Sequence, residues 1–216
     1  MSPYAYLPIL HLKIATQTTY PSWGYWLSLG ATTCWENWSG GHDASHPPTP
    51  THNHIFLCGG IGEWMYEYLA GVIPTSAGYA TVDVKPLVSK TLGPASVDAA
   101  ITTVRGIILS TWTRANGHGE PFNGKNGAAL LTMRVEVPAA VERATVRVPL
   151  LGVNAASARV MLAVNGGAPK QIDGVSMQHS AVQSAAVVVG ADGDEALEID
   201  IGVGGGVFEF DVRVAK

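Results

Sequence analysis

Tyr79-Ala-Thr-Val-Asp-Val-Lys85 is the stretch in which the hydrophobic period of this chain becomes two. Successive side chains of an extended strand point to opposite faces, so the alternation puts Val82 and Val84 on one face and Thr81, Asp83 and Lys85 on the other. The same period returns in 129–137 (Ala-Leu-Leu-Thr-Met-Arg-Val-Glu-Val), 144–148, 159–164, 185–189, 196–201 and 207–214. Turn signals such as Asn165-Gly166-Gly167 and Asp192-Gly193 separate these runs. Short strands joined by turns, with no helices between them, predict an antiparallel β-sandwich over residues 78–216. The glycine-rich stretch 202–206 lies between two strands without a Lys-Ser/Thr pair, so it reads as a turn or bulge and not as a phosphate loop.

Before Gly78 the pattern is helical. Segments 5–19 and 61–72 read as helices, and in the second Ile61, Trp64, Met65, Tyr68, Leu69 and Val72 recur at helical spacing while Glu63 and Glu67 fall elsewhere on the wheel. Gly71 and Pro74 are its stop signals. Each large side chain on that face contributes about 1.5 to 3 kcal/mol when buried. Left uncovered, the face is expected to drive self-association, in preference to folding of the helices back onto the sandwich. The fold class expected is α+β, with helical residues 1–77 followed by the sandwich.

Composition limits the partners. With 47% hydrophobic and 14% charged residues the chain is a folded one, and its formal net charge of −4, with only 13 Lys and Arg, offers no footprint for nucleic acid or an anionic membrane. No run of about 18 apolar residues is present, so no span is expected. The start, Met1-Ser-Pro-Tyr-Ala-Tyr-Leu-Pro8, lacks a basic n-region and a cleavage signature, which reads as no signal peptide and a cytoplasmic chain as it stands. Cys34 and Cys58 read as the small buried hydrophobes of a cytoplasmic chain, in preference to the bridge that a secreted one would make of them. His42-x3-His46 with His52-x-His54 looks superficially like a metal site. Within that cluster there is no cysteine, Asp43 is the only carboxylate, and Pro47, Pro48 and Pro50 oppose a helix that would align the pair. A polar surface loop is the reading taken, and neither a metal nor a cofactor is expected.

The chemistry is concentrated in Tyr20-Pro-Ser-Trp-Gly-Tyr-Trp26 and Gly30-Ala-Thr-Thr-Cys-Trp-Glu-Asn-Trp38. Five of the six tryptophans fall between residues 23 and 64. Aromatic faces pack on the C–H surface of a sugar ring while a carboxylate handles hydroxyls or a water, and Glu36 lies between Trp35 and Trp38 with Trp23 and Trp26 upstream. The competing reading is an aromatic core that carries one surface glutamate.

Taken with His52-Asn-His-Ile-Phe-Leu-Cys-Gly-Gly-Ile-Gly-Glu-Trp64, these two segments resemble, in order and spacing, the end of the catalytic domain of the α-L-rhamnosidases of glycoside hydrolase family 78. The resemblance is close over residues 15–86. It continues more loosely through 78–86 and 103–112, which are similar to the first strands of that family's C-terminal β-sandwich. It implies that residues 1–77 are the last helices of a six-hairpin (α/α)6 barrel. Glu36 then corresponds to the general base, His54 to a histidine that contacts rhamnose, and Trp23, Trp26, Trp35 and Trp38 to the surrounding wall. Ionised Glu36 would be favoured by hydrogen bonds from neighbours such as His54 or Thr33. The implied reaction is inverting hydrolysis of a terminal α-L-rhamnose in a rhamnose-containing carbohydrate.

The family's general acid lies upstream of the Trp-Glu motif, and the first acidic residue of this chain is Glu36 itself. The chain is therefore expected to be a C-terminal piece that is inactive alone and active only when the other half of the barrel is supplied. The alternatives are a non-catalytic carbohydrate-binding protein and a structural β-sandwich whose helical part is an appendage or an oligomerisation surface.

Overall fold

The computed structural model describes residues 7–40, 51–57, 59–89, 93–115, 129–172, 182–189, 194–202 and 205–215. The chain divides into two compact units, the boundary falling between Met65 and Tyr66.

The first unit contains three short helices, α1 (Leu7–Thr16), α2 (Trp23–Ser28) and α3 (Gly59–Trp64). Ser22 caps α2: its backbone is extended and its hydroxyl accepts the Tyr25 N–H at 2.9 Å, which satisfies one of the amides that every helix start leaves without a partner. A π-helical turn, Met65–Leu69, continues α3 across the boundary between the units. The helix expected over 61–72 therefore ends at Leu69. Gly71 takes a left-handed φ of +77°, and Val72 already belongs to a strand. Of the expected apolar face, Trp64 is buried at 7% exposure and lies tilted against the His11 ring, while Met65 and Tyr68 remain exposed at 46% and 36%.

The second unit is a two-layer sandwich of eleven strands among its described residues. One sheet has the order β1 (Val72–Pro74), β2 (Thr81–Val84), β6 (Arg143–Pro149), β10 (Glu195–Ile201), β9 (Val182–Val189). The other runs β3 (Ser96–Thr103), β4 (Gly106–Arg114), β5 (Ala129–Val137), β11 (Gly206–Val214), β7 (Ala158–Val164), β8 (Lys170–Ile172). Every pairing is antiparallel except β2 with β6, where Thr81 lies opposite Arg143 and Val84 opposite Val146. The period of two read from the sequence is the burial pattern: Val82, Val84, Val146, Val148, Leu197, Ile199 and Ile201 of one sheet face Ile108, Trp112, Leu131, Met133, Val135, Leu162, Phe208 and Phe210 of the other. The outward face of the first sheet carries ion pairs, with Arg143 donating two bonds to Asp200 at 2.9 and 2.6 Å and Arg147 one to Glu198 at 3.0 Å. Between β7 and β8, Asn165 and Gly166 both have positive φ, 51° and 73°, the conformation that a tight hairpin requires.

Two polar groups inside the sandwich hold the chain that enters it. Ser110 Oγ, fully buried on β4, donates to the Ala70 carbonyl at 2.6 Å, and Trp112 Nε1 on the same strand donates to the Leu69 carbonyl at 2.8 Å. They satisfy carbonyls that the end of a helical turn leaves without intrahelical donors. Lys85 N–H adds a bond to the Gly71 carbonyl at 2.8 Å, and Leu87 N–H one to Tyr68 at 2.7 Å. A side chain at Gly71 would overlap the backbone of Lys85 and Pro86, so the close crossing needs glycine for space as well as for its φ. Among the described residues no helix is long and apolar enough to cross a membrane.

Ser110→Ala removes the donor and leaves the Ala70 carbonyl buried without it, a loss of about 1 to 3 kcal/mol. Chemical denaturation should show a lower midpoint with an unchanged slope. Trp112→Phe, which keeps a buried ring but loses the Nε1 donor, should lose a similar amount on the same assay.

Candidate functional site

The site belongs to the first unit and is assembled by two segments that pair like a short antiparallel ladder. His54 N–H donates to the Cys34 carbonyl at 2.7 Å, Glu36 N–H donates to the Thr51 carbonyl at 2.9 Å, and the Thr33 hydroxyl donates to the His52 carbonyl. These bonds bring the Trp-Glu motif and the Asn-His motif side by side. Cys34, in the first segment, is half-buried and disulfide-bonded, which corrects the preferred reading of it as a reduced, buried hydrophobe; Cys58 lies outside the described residues.

The four tryptophans named from the sequence come together. Trp26 lies 4.5 Å from Trp38 and 6.0 Å from Trp35 between ring centroids, and Trp23 meets Trp38 edge-on at 5.7 Å. Trp26 Nε1 donates to the carbonyls of Asn37 and Trp38 at 3.2 and 3.0 Å, fixing that ring beneath the segment that carries Glu36. Trp26 and Trp35 are only 5% exposed, whereas Trp38 is 36% exposed. The ring surface open to a ligand is thus supplied by Trp38 and the half-buried Trp23, with the other two behind them as support. Together with Tyr20, Asn37, Ser39 and Glu36 they line a cleft of about 380 Å³.

Trp35 is packed by His52 and by the backbone at Gly40. The His52 ring stacks on it at 4.6 Å and 23°, and the His52 Nε2 lies 2.9 Å from the Gly40 carbonyl. A Cβ at Gly40 would overlap the Trp35 ring, and Gly40 also has a φ of +59°. His52 therefore serves the wall. His42, His46 and Asp43 lie outside the described residues, and among the described residues no three His, Cys, Asp or Glu side chains gather as a metal site.

Glu36 is exposed at the cleft. Its Oε2 accepts the Thr51 N–H at 2.9 Å and faces the Thr51 hydroxyl at 3.5 Å. The same hydroxyl lies 2.8 Å from His54 Nδ1, and the His54 ring rests edge-on against Phe56 at 5.0 Å. The neighbour that holds Glu36 is therefore Thr51. Of the two neighbours named for that part from the sequence, Thr33 bonds the His52 carbonyl instead, and His54 bonds the Thr51 hydroxyl. Sequence reasoning missed Thr51 because a lone threonine beside prolines carries no periodic or motif signal. Glu63 is exposed on α3, as its place on the wheel indicates.

Residues 8–69 match the model of the bacterial alpha-L-rhamnosidase 6 hairpin glycosidase domain. An alpha-L-rhamnosidase of Formosa agariphila is 37% identical over 109 residues, which is 50% of this chain and 12% of that protein. One from Streptomyces avermitilis is 34% identical over 107 residues, 49% of this chain and 10% of that protein. The chain thus spans about a tenth of the length of the curated relatives it matches. Among solved structures, alpha-L-rhamnosidase from Dictyoglumus thermophilum superposes with a TM-score of 0.65 at 23% identity, covering 97% of this chain and 19% of that one. The Streptomyces avermitilis alpha-L-rhamnosidase complexed with L-rhamnose gives 0.60 at 23%, covering 94% and 16%. At such identities these superpositions establish the fold, an α+β arrangement ending in a β-sandwich.

Gly40→Ala should disorder the tryptophan cluster, because the methyl overlaps Trp35 and the left-handed φ adds strain of about 1 kcal/mol or more. The expected result is loss of near-ultraviolet circular dichroism from the stacked indoles. Gly59→Ala, where a Cβ meets nothing within 4 Å, should leave the spectrum unchanged.

Proposed function

We propose that this chain, similar to the C-terminal part of the α-L-rhamnosidases, supplies the general-base half of an inverting glycosidase site acting on terminal α-L-rhamnose. The observation that carries this reading is Glu36, an exposed carboxylate held by the Thr51 N–H at 2.9 Å on the rim of a cleft walled by Trp23 and Trp38. A carboxylate that accepts one fixed hydrogen bond keeps lone pairs free for a water, and the bond sets the direction in which it takes the proton. In an inverting reaction that water attacks the anomeric carbon from the face opposite the leaving oxygen. The C–O bond to the aglycone breaks, a second carboxylic acid gives its proton to that oxygen, and Glu36 takes one from the water. The two carboxyl groups of such sites stand roughly 6.5 to 9.5 Å apart to leave room for the water.

The tryptophan surfaces bind and orient the sugar, since the flat C–H face of a pyranose packs on an indole while its hydroxyls point to polar groups at the edge. In this reading His54, whose Nδ1 lies 2.8 Å from the Thr51 hydroxyl, contacts a hydroxyl of the same ring, as the resemblance implies. By the resemblance the proton donor to the leaving oxygen stands upstream of the Trp-Glu motif, and no aspartate or glutamate precedes Glu36 here, so this reading has the donor supplied by another segment. The domains proposed from the resemblance are residues 1–77 for the barrel part and 78–216 for the sandwich, with β1 (Val72–Pro74) of the barrel part already paired into the sandwich sheet. A non-catalytic saccharide-binding protein is the second reading, favoured by the same aromatic cleft standing with one carboxylate.

Two measurements test the assignment. The isolated chain, incubated with an aryl α-L-rhamnoside, should show no turnover above background; glycosidase-like rates from a preparation of verified mass would reveal an acid among these residues. With the upstream half of a family barrel supplied by fusion or mixing, Glu36→Gln should cut turnover by about 10² to 10⁴. Rhamnose affinity should change little, because the amide keeps the shape of the carboxylate but cannot take a proton. Turnover of the Gln variant equal to wild type would remove Glu36 from the mechanism, and failure of any fusion to turn over while rhamnose still binds would favour the second reading.

A further inference from the structure

We propose that Thr51 is a positioning residue that links Glu36 to His54 and selects the tautomer in which His54 meets the sugar; the catalytic meaning of this link rests on Glu36 being the base. The geometry leaves the Thr51 hydroxyl between two groups. Its oxygen is 2.8 Å from His54 Nδ1 and 3.5 Å from Glu36 Oε2, while the Thr51 backbone N–H donates to that same Oε2 at 2.9 Å. A threonine hydroxyl has one proton to give and lone pairs to receive with, and a carboxylate can only accept.

Two arrangements are open. If the hydroxyl donates to Nδ1, its own oxygen is left facing the carboxylate with no proton between two acceptors. If His54 carries its proton on Nδ1, the imidazole donates to the hydroxyl and the hydroxyl donates to Glu36. Every group in the second arrangement is satisfied, and bonds that run in one direction reinforce each other. The second arrangement is therefore the one selected, and it fixes Nε2 of His54 as an unprotonated acceptor. Such a nitrogen receives a hydrogen bond from a sugar hydroxyl. A His54 in the opposite tautomer would instead present a donor.

The link also has a direction in time. While Glu36 is a carboxylate it draws the hydroxyl proton and holds the tautomer. Once Glu36 has taken the proton of the attacking water, that pull falls, and the contact from His54 to the sugar weakens as product forms.

The ring nitrogens of His54 report the tautomer directly. The chain would be labelled with ¹⁵N-histidine, and the spectrum read at about pH 8, where imidazoles are ordinarily neutral. The His54 signals would be identified by their loss in His54→Gln. Wild type and Thr51→Ser should both show His54 protonated on Nδ1. Thr51→Val should shift the ratio toward the Nε2-protonated form by roughly fivefold, the effect of one hydrogen bond. The decisive variant is Glu36→Ala: Glu36 does not bond His54, yet its loss frees the hydroxyl to donate to Nδ1 and should shift the ratio in the same direction.

An Nε2-protonated His54 in wild type overturns the proposal, as does a ratio unmoved by Glu36→Ala, whatever Thr51→Val does. If the Val variant does not fold, as judged by near-ultraviolet circular dichroism, the Ala variant at Glu36 still decides. Neither result depends on turnover. The relay can therefore stand if kinetics remove Glu36 as base, and it can fall while Glu36 remains the base.

Discussion

The hydrogen bonds from Ser110 and Trp112 to the carbonyls of Ala70 and Leu69 are the constraint on which the path of the second unit depends. A helical turn that runs straight into a β-sandwich must give up carbonyls to a dry environment, and each one left unmet costs about as much as a well-packed methylene or two contributes. The sandwich answers with donors from its own interior. Because Ser110 and Trp112 are two apart on β4, both point inward, and the strand that fills the core is also the strand that ends the helix. Gly71 completes the arrangement by letting the backbone turn where any side chain would strike the chain at Lys85 and Pro86. The first strand of the sandwich can then begin one residue later.

The site rests on backbone pairing in the same way. Glu36, Thr51 and His54 are placed by amides and carbonyls of their own segments, so the ladder between 34–36 and 51–54 sets their relation. Packing then refines it: the His52 ring stacks on Trp35, the Gly40 backbone closes against the same indole, and the Trp26 indole ties the wall to the turn after Glu36. The result separates the tasks of the aromatic residues. Buried rings hold the floor, and the partly exposed Trp23 and Trp38 supply the surface.

Much of this was legible from residue order. The strands at 129–137 and 207–214 were readable because one face is buried and the other wet, which writes a period of two into the chain. The gathering of the tryptophans followed from their crowding into two short segments. Other elements left little trace. β3, Ser-Val-Asp-Ala-Ala-Ile-Thr-Thr, is an edge strand whose inward residues are small or only half-buried, and β1 has three residues. The parallel pairing of β2 with β6 is a property of topology that local pattern does not encode. Thr51 was invisible because its importance comes from what stands on either side of it in space, and those neighbours are fifteen residues before it and three after.

One feature of the strand order bears on how such a chain is made. β11, the last strand, lies in the middle of its sheet with β5 on one side and β7 on the other. Until it is in place, β5 and β7 have no common partner and the core lacks Phe208, Phe210 and Val212. On a ribosome, which delivers about 5 to 20 residues each second, the strands from β1 to β10 must wait in an open form for their central member. Cooperative closure of the sandwich thus comes after synthesis of nearly all of it. During that interval the unpaired backbone edges of β5 and β7, and the apolar faces beside them, are the surfaces a chaperone has most reason to cover.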